Sequence, residues 1–182
     1  MEENKRLIRN FIWIGFFLLP FIQAFADEKA LYLTNWEFME ERNGESNCLS
    51  ENGWKRFSFP GQPPGSNRGK ILLQRTTLPA ISETETIRFL SVDQFLEVYL
   101  NESLVYNVGS PDKPDELTFG NTLHLVKLPK SAKNAVLCFR IFSRTANVGL
   151  NGTVSIANQY THINNLIREE FLKLTLNGLR FS

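Results

Sequence analysis

Cysteine and histidine are scarce in this chain. Its 182 residues hold two cysteines, Cys48 and Cys138, and two histidines, His124 and His162. Two thiols are too few for a disulfide scaffold, and their spacing fits no zinc motif. Two histidines rule out a histidine-rich metal site, so neither a metal nor a cofactor is expected. Neither histidine has a nucleophile-elbow sequence beside it, which argues against Ser-His-Asp chemistry. No glycine-rich loop of the phosphate-binding pattern is present. Charge of one sign is also missing: 20 basic residues face 19 acidic ones. Without a basic stripe there is no electrostatic drive towards nucleic acid, and no nucleic-acid partner is expected. Acidic pairs such as Asp112/Asp115 and Glu169/Glu170 occur in no catalytic context and read as solvated surface charge. The chain is not expected to be an enzyme.

Long apolar runs are missing too, with one exception. Phe11 to Phe25 is almost wholly apolar, broken by Pro20 and Gln23, and it follows the basic residues Lys5, Arg6 and Arg9. Ala24-Phe25-Ala26 supplies small residues at the positions a signal peptidase reads, and acidic Asp27-Glu28 follow. This predicts a signal peptide over 1–26, export, and a location in the periplasm or on the outer face of the cytoplasmic membrane. The alternative is an uncleaved anchor, although the run is shorter than the ~20 residues of a membrane span. No cysteine follows closely, which disfavours a lipid-modified terminus. Residues 1–26 carry three basic and two acidic groups, so the remainder holds 17 of each and is formally neutral.

What is present is period two. In Ile87–Gly109, Ile87 and Phe89 alternate with polar neighbours, and Leu96, Val98 and Leu100 alternate with Phe95, Glu97 and Tyr99. Asn101-Glu102-Ser103 interrupts, and Leu104-Val105-Tyr106 resumes the run: strand, turn, strand. Lys70 to Leu78 is a second strong strand, closed by Pro79. Leu123 to Leu128 is a short one, closed by Pro129. Over Ala135 to Phe142, Leu137, Phe139 and Ile141 share one face, while Val136, Cys138, Arg140 and Phe142 share the other. Leu31 to Phe38 reads as a first strand with Trp36 and Phe38 on one side, and Gly149 to Ala157 as a last. Pro60 to Gly65 and Gly109 to Asn121 are loops. Fifteen Phe residues suit packed sheets. Seven or eight short strands with Pro/Gly punctuation predict an all-β sandwich in one domain, 27–160.

From residue 161 to 182 the period changes. Ile163, Leu166, Ile167, Phe171 and Leu174 fall at helical spacing, opposite Arg168, Glu169 and Lys173, and Gly178 is placed to end the helix. An amphipathic helix is expected, either packed on the sandwich or leading towards another module or a membrane. Cys48 and Cys138 remain open between a disulfide and buried free thiols. Asn101-Glu102-Ser103 and Asn151-Gly152-Thr153 match the glycosylation pattern and read equally as turns.

The order of these segments resembles the galactose-binding-like jelly roll. Similar domains are the sugar-binding domain of family 2 glycoside hydrolases and the extracellular sensor domain of bacterial seven-transmembrane signalling receptors. The matching elements are Trp36-Glu37-Phe38, Trp54-Lys55-Arg56-Phe57, and the segments 71–79, 87–106, 124–129 and 134–143. The most specific is Glu97-Val98-Tyr99-Leu100-Asn101, although Glu102 stands where the family has Gly. The resemblance implies a jelly-roll β-sandwich that binds or senses a ligand, with a carbohydrate or other small molecule as partner; the alternatives are a protein-interaction sandwich without a small-molecule ligand and an accessory sugar-binding domain of a glycoside hydrolase. In the receptors a helix leads on into the membrane. The resemblance therefore implies a membrane signalling partner, and the tail at 161–182 is expected to be a truncated approach to a membrane span. In the hydrolases the sandwich is an accessory to a separate barrel of about 250 residues, which does not fit here.

Sandwiches bind ligands with end loops or a concave face. Aromatic rings stack on sugars, and Asp, Asn and Arg bond to their hydroxyls. Trp54, Arg68, Tyr106, Asp112 and Arg144 lie in or beside expected loops and are the candidate ligand-binding residues. Trp54 reads equally as a core aromatic, and Arg144 as part of an edge ion pair.

Overall fold

A computed structural model describes residues 29–41, 47–65, 68–80, 85–92, 94–112, 120–129, 132, 134–144 and 148–178, with side chains of the last helix as far as Lys173. The expected signal peptide at 1–26 lies outside the described residues. The strands are β1 (Leu31–Tyr32), β2 (Glu37–Glu40), β3 (Lys55–Arg56), β4 (Ile71–Thr77), β5 (Glu85–Val92), β6 (Phe95–Leu100), β7 (Ser103–Val108), β8 (Asn121–Lys127), β9 (Val136–Phe142) and β10 (Asn151–Asn158). Helix α1 (Gln159–Gly178) follows.

The strands form two antiparallel sheets, a four-stranded one ordered β1-β10-β5-β8 and a six-stranded one ordered β3-β2-β4-β9-β6-β7. From β4 onwards every connection but the β6–β7 hairpin crosses from one sheet to the other. That winding is a jelly roll, and the architecture fits the galactose-binding-like sandwich that the motif order resembles.

Alternation is why the sheets stack. Leu72 of β4, Ile87 and Phe89 of β5, Leu96 and Val98 of β6, and Leu137, Phe139 and Ile141 of β9 all turn inward and are buried. Trp36 joins them, with Phe59 at 5.0 Å and Phe139 at 5.9 Å between ring centroids. Fully burying a side chain of this size contributes about 1.5–3 kcal/mol, so this layer dominates stability.

The first expected strand is two strands. Asn35 takes a left-handed backbone, φ 59°, and divides 31–38 into β1 and β2. An Asn tolerates that conformation where a β-branched residue would not. The break carries the chain from the four-stranded sheet to the six-stranded one, and Trp36 Nε1 donates to the Leu33 carbonyl at 3.1 Å across it. The β6–β7 turn forms as expected. Asn101 takes the left-handed backbone, φ 56°, while Glu102, which stands where the related motif has Gly, does not, so the turn forms without a glycine there.

Helix α1 leaves directly from β10. The Asn158 side chain caps it, accepting the Thr161 N–H at 2.8 Å. Thr161 and His162 are buried, and Arg88 of β5 grips Glu169 through two bonds of 3.2 and 2.8 Å. The apolar stripe does not cover the sandwich: Ile167 is 62% and Phe171 66% exposed. The helix packs by its polar-flanked side and turns Ile163, Ile167 and Phe171 outward. Among the described residues, no helix is long and apolar enough to cross a membrane.

Candidate functional site

The outer face of the six-stranded sheet carries an ordered set of polar side chains. Pairing places Glu37 beside Arg75, Arg75 beside Cys138, and Cys138 beside Tyr99 in one row. The next row runs Met39, Leu73, Arg140, Glu97. These are the odd positions of β2, β4 and β6 and the even positions of β9, so the alternation that builds the core also builds this surface.

A strap from Asn47 to Trp54 crosses one end of this face. Cys48 and Cys138 form a disulfide, with Cα atoms 5.9 Å apart, which resolves the choice between paired and free thiols. Arg75 Nη1 donates to the carbonyls of Cys48 and Ser50 at 3.0 and 2.9 Å, and its guanidinium carbon lies 3.9 Å from the Trp54 ring centroid. Trp54 Nε1 donates to the Ser50 carbonyl at 2.8 Å. The strap divides two clefts.

The first cleft, about 390 Å³, lies over Arg140 and includes Tyr99, Asn101 and Glu102 in its lining. Arg140 uses all five of its N–H donors: two on Glu41, two on Asp112 and one on Glu97. Bonds to Asp112 and Glu41 hold its pKa above even the usual arginine range. Tyr99 donates to Glu97 at 2.8 Å, and burial together with that bond pushes its pKa up to about 12. Three carboxylates hold one guanidinium, Glu102 adds a fourth to the lining, and the cleft carries an excess of negative charge.

The second is a groove of about 630 Å³ that bridges the free edges of the two sheets. Leu31 and Tyr32 of β1 edge the four-stranded sheet, and Arg56 of β3 edges the other. Asn35, Glu37 and Leu49 complete its distinctive lining. Tyr32 is 57% exposed, so its ring is available as a platform. Arg75 holds Glu37 at 3.0 Å, whereas Arg56 reaches the same carboxylate only at 3.8 Å. The groove joins an exposed ring and two leucines to amide, carboxylate and guanidinium groups.

The residues chosen from the sequence do not converge. Trp54 sits on the outer face against the Arg75 guanidinium, in a small cluster with the disulfide, Leu73, Met39 and Tyr99, outside the main core. Asp112 lies on that same face, held by Arg140. Tyr106 is half-buried between the sheets, where its hydroxyl meets His124 Nδ1 at 3.1 Å; Ser91 Oγ meets Nε2 at 2.7 Å. Arg68 and Arg144 are exposed near a bend closed by Gly69 N–H and the Ser143 carbonyl, 2.6 Å apart. The groove residues Tyr32, Asn35, Glu37 and Arg56 were not singled out in sequence. The outward alternation of Glu37 against Trp36 and Phe38 is the signal that marks one of them.

No family profile matches the chain, and no curated protein matches it. Among solved structures it is similar to a glycosyl hydrolase family 2 member from Bacteroides cellulosilyticus, at 13% identity and TM-score 0.48, over 71% of this chain and 21% of that one. The chain thus spans about a fifth of that enzyme's length. It is also similar to a cleaved adhesin domain of Lys-gingipain from Porphyromonas gingivalis, at 12% identity and TM-score 0.36, over 74% of this chain and 96% of that one. Likeness this distant carries nothing about chemistry.

Proposed function

We propose that this chain is an exported, non-catalytic β-sandwich that binds a carbohydrate-like ligand in the groove between β1 and β3. The observation that carries the reading is Tyr32, an exposed ring beside Leu31, with Asn35, Glu37 and Arg56 within one groove. A sugar presents an apolar C–H face to such a ring and hydroxyls to such polar groups. The disulfide supports a location outside the cytoplasm, where paired thiols persist. Arg140 supports the non-catalytic reading, since it occupies the carboxylates of the other cleft.

The register of β1 supports a sensing role. Leu31 pairs with Ile156 and Tyr32 with Ser155, and β10 runs directly into α1. A ligand seated on Tyr32 bears on the strand that launches the helix. The outward stripe of α1 is then the surface that meets a signalling partner at the membrane.

A glycan array followed by calorimetry on the purified chain tests the reading. Binding that Tyr32→Ala abolishes, with the thermal midpoint unchanged, is expected. A folded chain that binds no glycan contradicts it. That outcome favours a protein-interaction sandwich, for which the exposed Ile163, Ile167 and Phe171 are the specific observation.

A further inference from the structure

We infer that the groove selects an acidic saccharide, one whose carboxylate is received by Arg56; the inference rests on the groove reading above. The ionised groups lining the groove are Glu37, Arg56 and Arg75, which leaves an excess of one positive charge. Glu37 is already engaged, with Arg75 Nε at 3.0 Å. Arg56 stands directly across from Glu37 in the β2–β3 pair, yet its guanidinium stays 3.8 Å from that carboxylate and its side chain is 88% exposed. A guanidinium so loosely held has its planar fork of donors directed at solvent, and a carboxylate matches that fork with two parallel bonds.

The neighbouring cleft makes the contrast. Glu41, Glu97 and Asp112 take every donor of Arg140 there, and Glu102 adds a further carboxylate to the lining. An anionic ligand is repelled from that side of the strap and attracted to the other. Tyr32 and Leu31 supply apolar contact for the ring of the sugar, and Arg56 receives its charge. The groove therefore distinguishes a uronate from the neutral sugar of the same shape.

The test uses the full chain and a panel of oligo-uronates, each compared with its own methyl ester, which keeps the backbone and removes the charge. Calorimetry at low salt is expected to show the acid bound about five- to tenfold more tightly than its ester, the range of one charge-assisted contact at a partly exposed site. Raising the salt weakens the acid and leaves the ester unchanged. Arg56→Gln brings the two to equal affinity, whereas Lys55→Gln, on the same short strand but outside the groove lining, does not. Equal binding of acid and ester to the unaltered chain overturns the inference while Tyr32-dependent binding keeps the groove reading. Retained discrimination in Arg56→Gln overturns it as well. If no acid or ester binds, the inference is overturned, while Tyr32-dependent binding of a neutral glycan on the array keeps the groove reading.

Discussion

Cys48 and Cys138, 90 residues apart in sequence, are joined across the outer face of the six-stranded sheet. The bond fixes a strap that Arg75 grips from below and that separates a positive groove from a negative cleft. Closing a loop of this length restricts the unfolded chain, and such bonds contribute about 2–4 kcal/mol. Cys48→Ala with Cys138→Ala is expected to lose about that much stability in urea denaturation. Because Trp54 belongs to the same small cluster, its emission should move to the red in the native baseline. An unchanged midpoint would mean that the strap is held by Arg75 alone.

Arg140 is expected to matter more than any of its partners. Its removal strands Glu41, whose side chain is only 4% exposed, and Glu97 without a counter-charge. Breaking a buried pair from one side costs about 3–5 kcal/mol, and Arg140→Met should lose stability in that range at pH 7. Asp112 is largely exposed, so Asp112→Asn should cost under about 1 kcal/mol. Denaturation midpoints for the two variants at pH 7 check both statements.

Both histidines are buried, and burial lowers both pKa values. His162 Nε2 donates to the Thr86 carbonyl at 2.8 Å, while Nδ1, the accepting nitrogen of the neutral ring, is buried without a donor. Arg88 opposes its protonation and Glu85 favours it. The unfolded chain therefore binds more protons than the native one below the unfolded histidine pKa of about 6.5. Stability should be complete above that pH and fall as pH drops through the window towards the lowered native values. Each histidine can add at most about 1.4 kcal/mol per pH unit to the slope. Urea midpoints from pH 7.5 to 5 should show the fall, and His124→Gln with His162→Gln should flatten it. A flat profile in the unaltered chain would contradict the assignment.

Gly109 takes φ 62°, and a Cβ there would stand 2.5 Å from Phe95 Cδ1. Backbone strain and collision combine, so Gly109→Ala should destabilise by about 1–2 kcal/mol. Asn101 accepts the Val136 N–H at 2.9 Å while holding its own positive φ. Asn101→Gly keeps the backbone and loses the bond, whereas Asn101→Ala loses both. Thermal midpoints should rank the unaltered chain first, then Gly, then Ala.

The sandwich was legible because its signal is local. The alternating runs at 87–89, 96–100 and 136–142 each declare their inner face without reference to any other segment, whereas 71–77 does not, since Gln74 and Thr76 turn inward beside Leu72. Asn35 shows the limit: nothing in Leu31–Phe38 distinguishes one strand from two, because the left-handed break serves a change of sheet, a tertiary demand. The groove was illegible for the same reason. Tyr32, Leu49, Arg56 and Arg75 come from four separate segments, and strand pairing, the stacking of the two sheets and the disulfide-held strap bring them together. The helix stripe at Ile163, Ile167 and Phe171 was visible as a pattern. Its outward direction was not, since Thr161, His162 and the Arg88–Glu169 pair decide which side of α1 meets the sheet.

The central claim is that ligand enters between β1 and β3. Amide chemical-shift mapping of the labelled chain during titration with a glycan that binds it tests this most directly. The account predicts the largest shifts at Tyr32, Asn35, Glu37 and Arg56, with weaker ones along β10 into α1. Shifts confined to Glu97, Tyr99, Asp112 and Arg140 would contradict it.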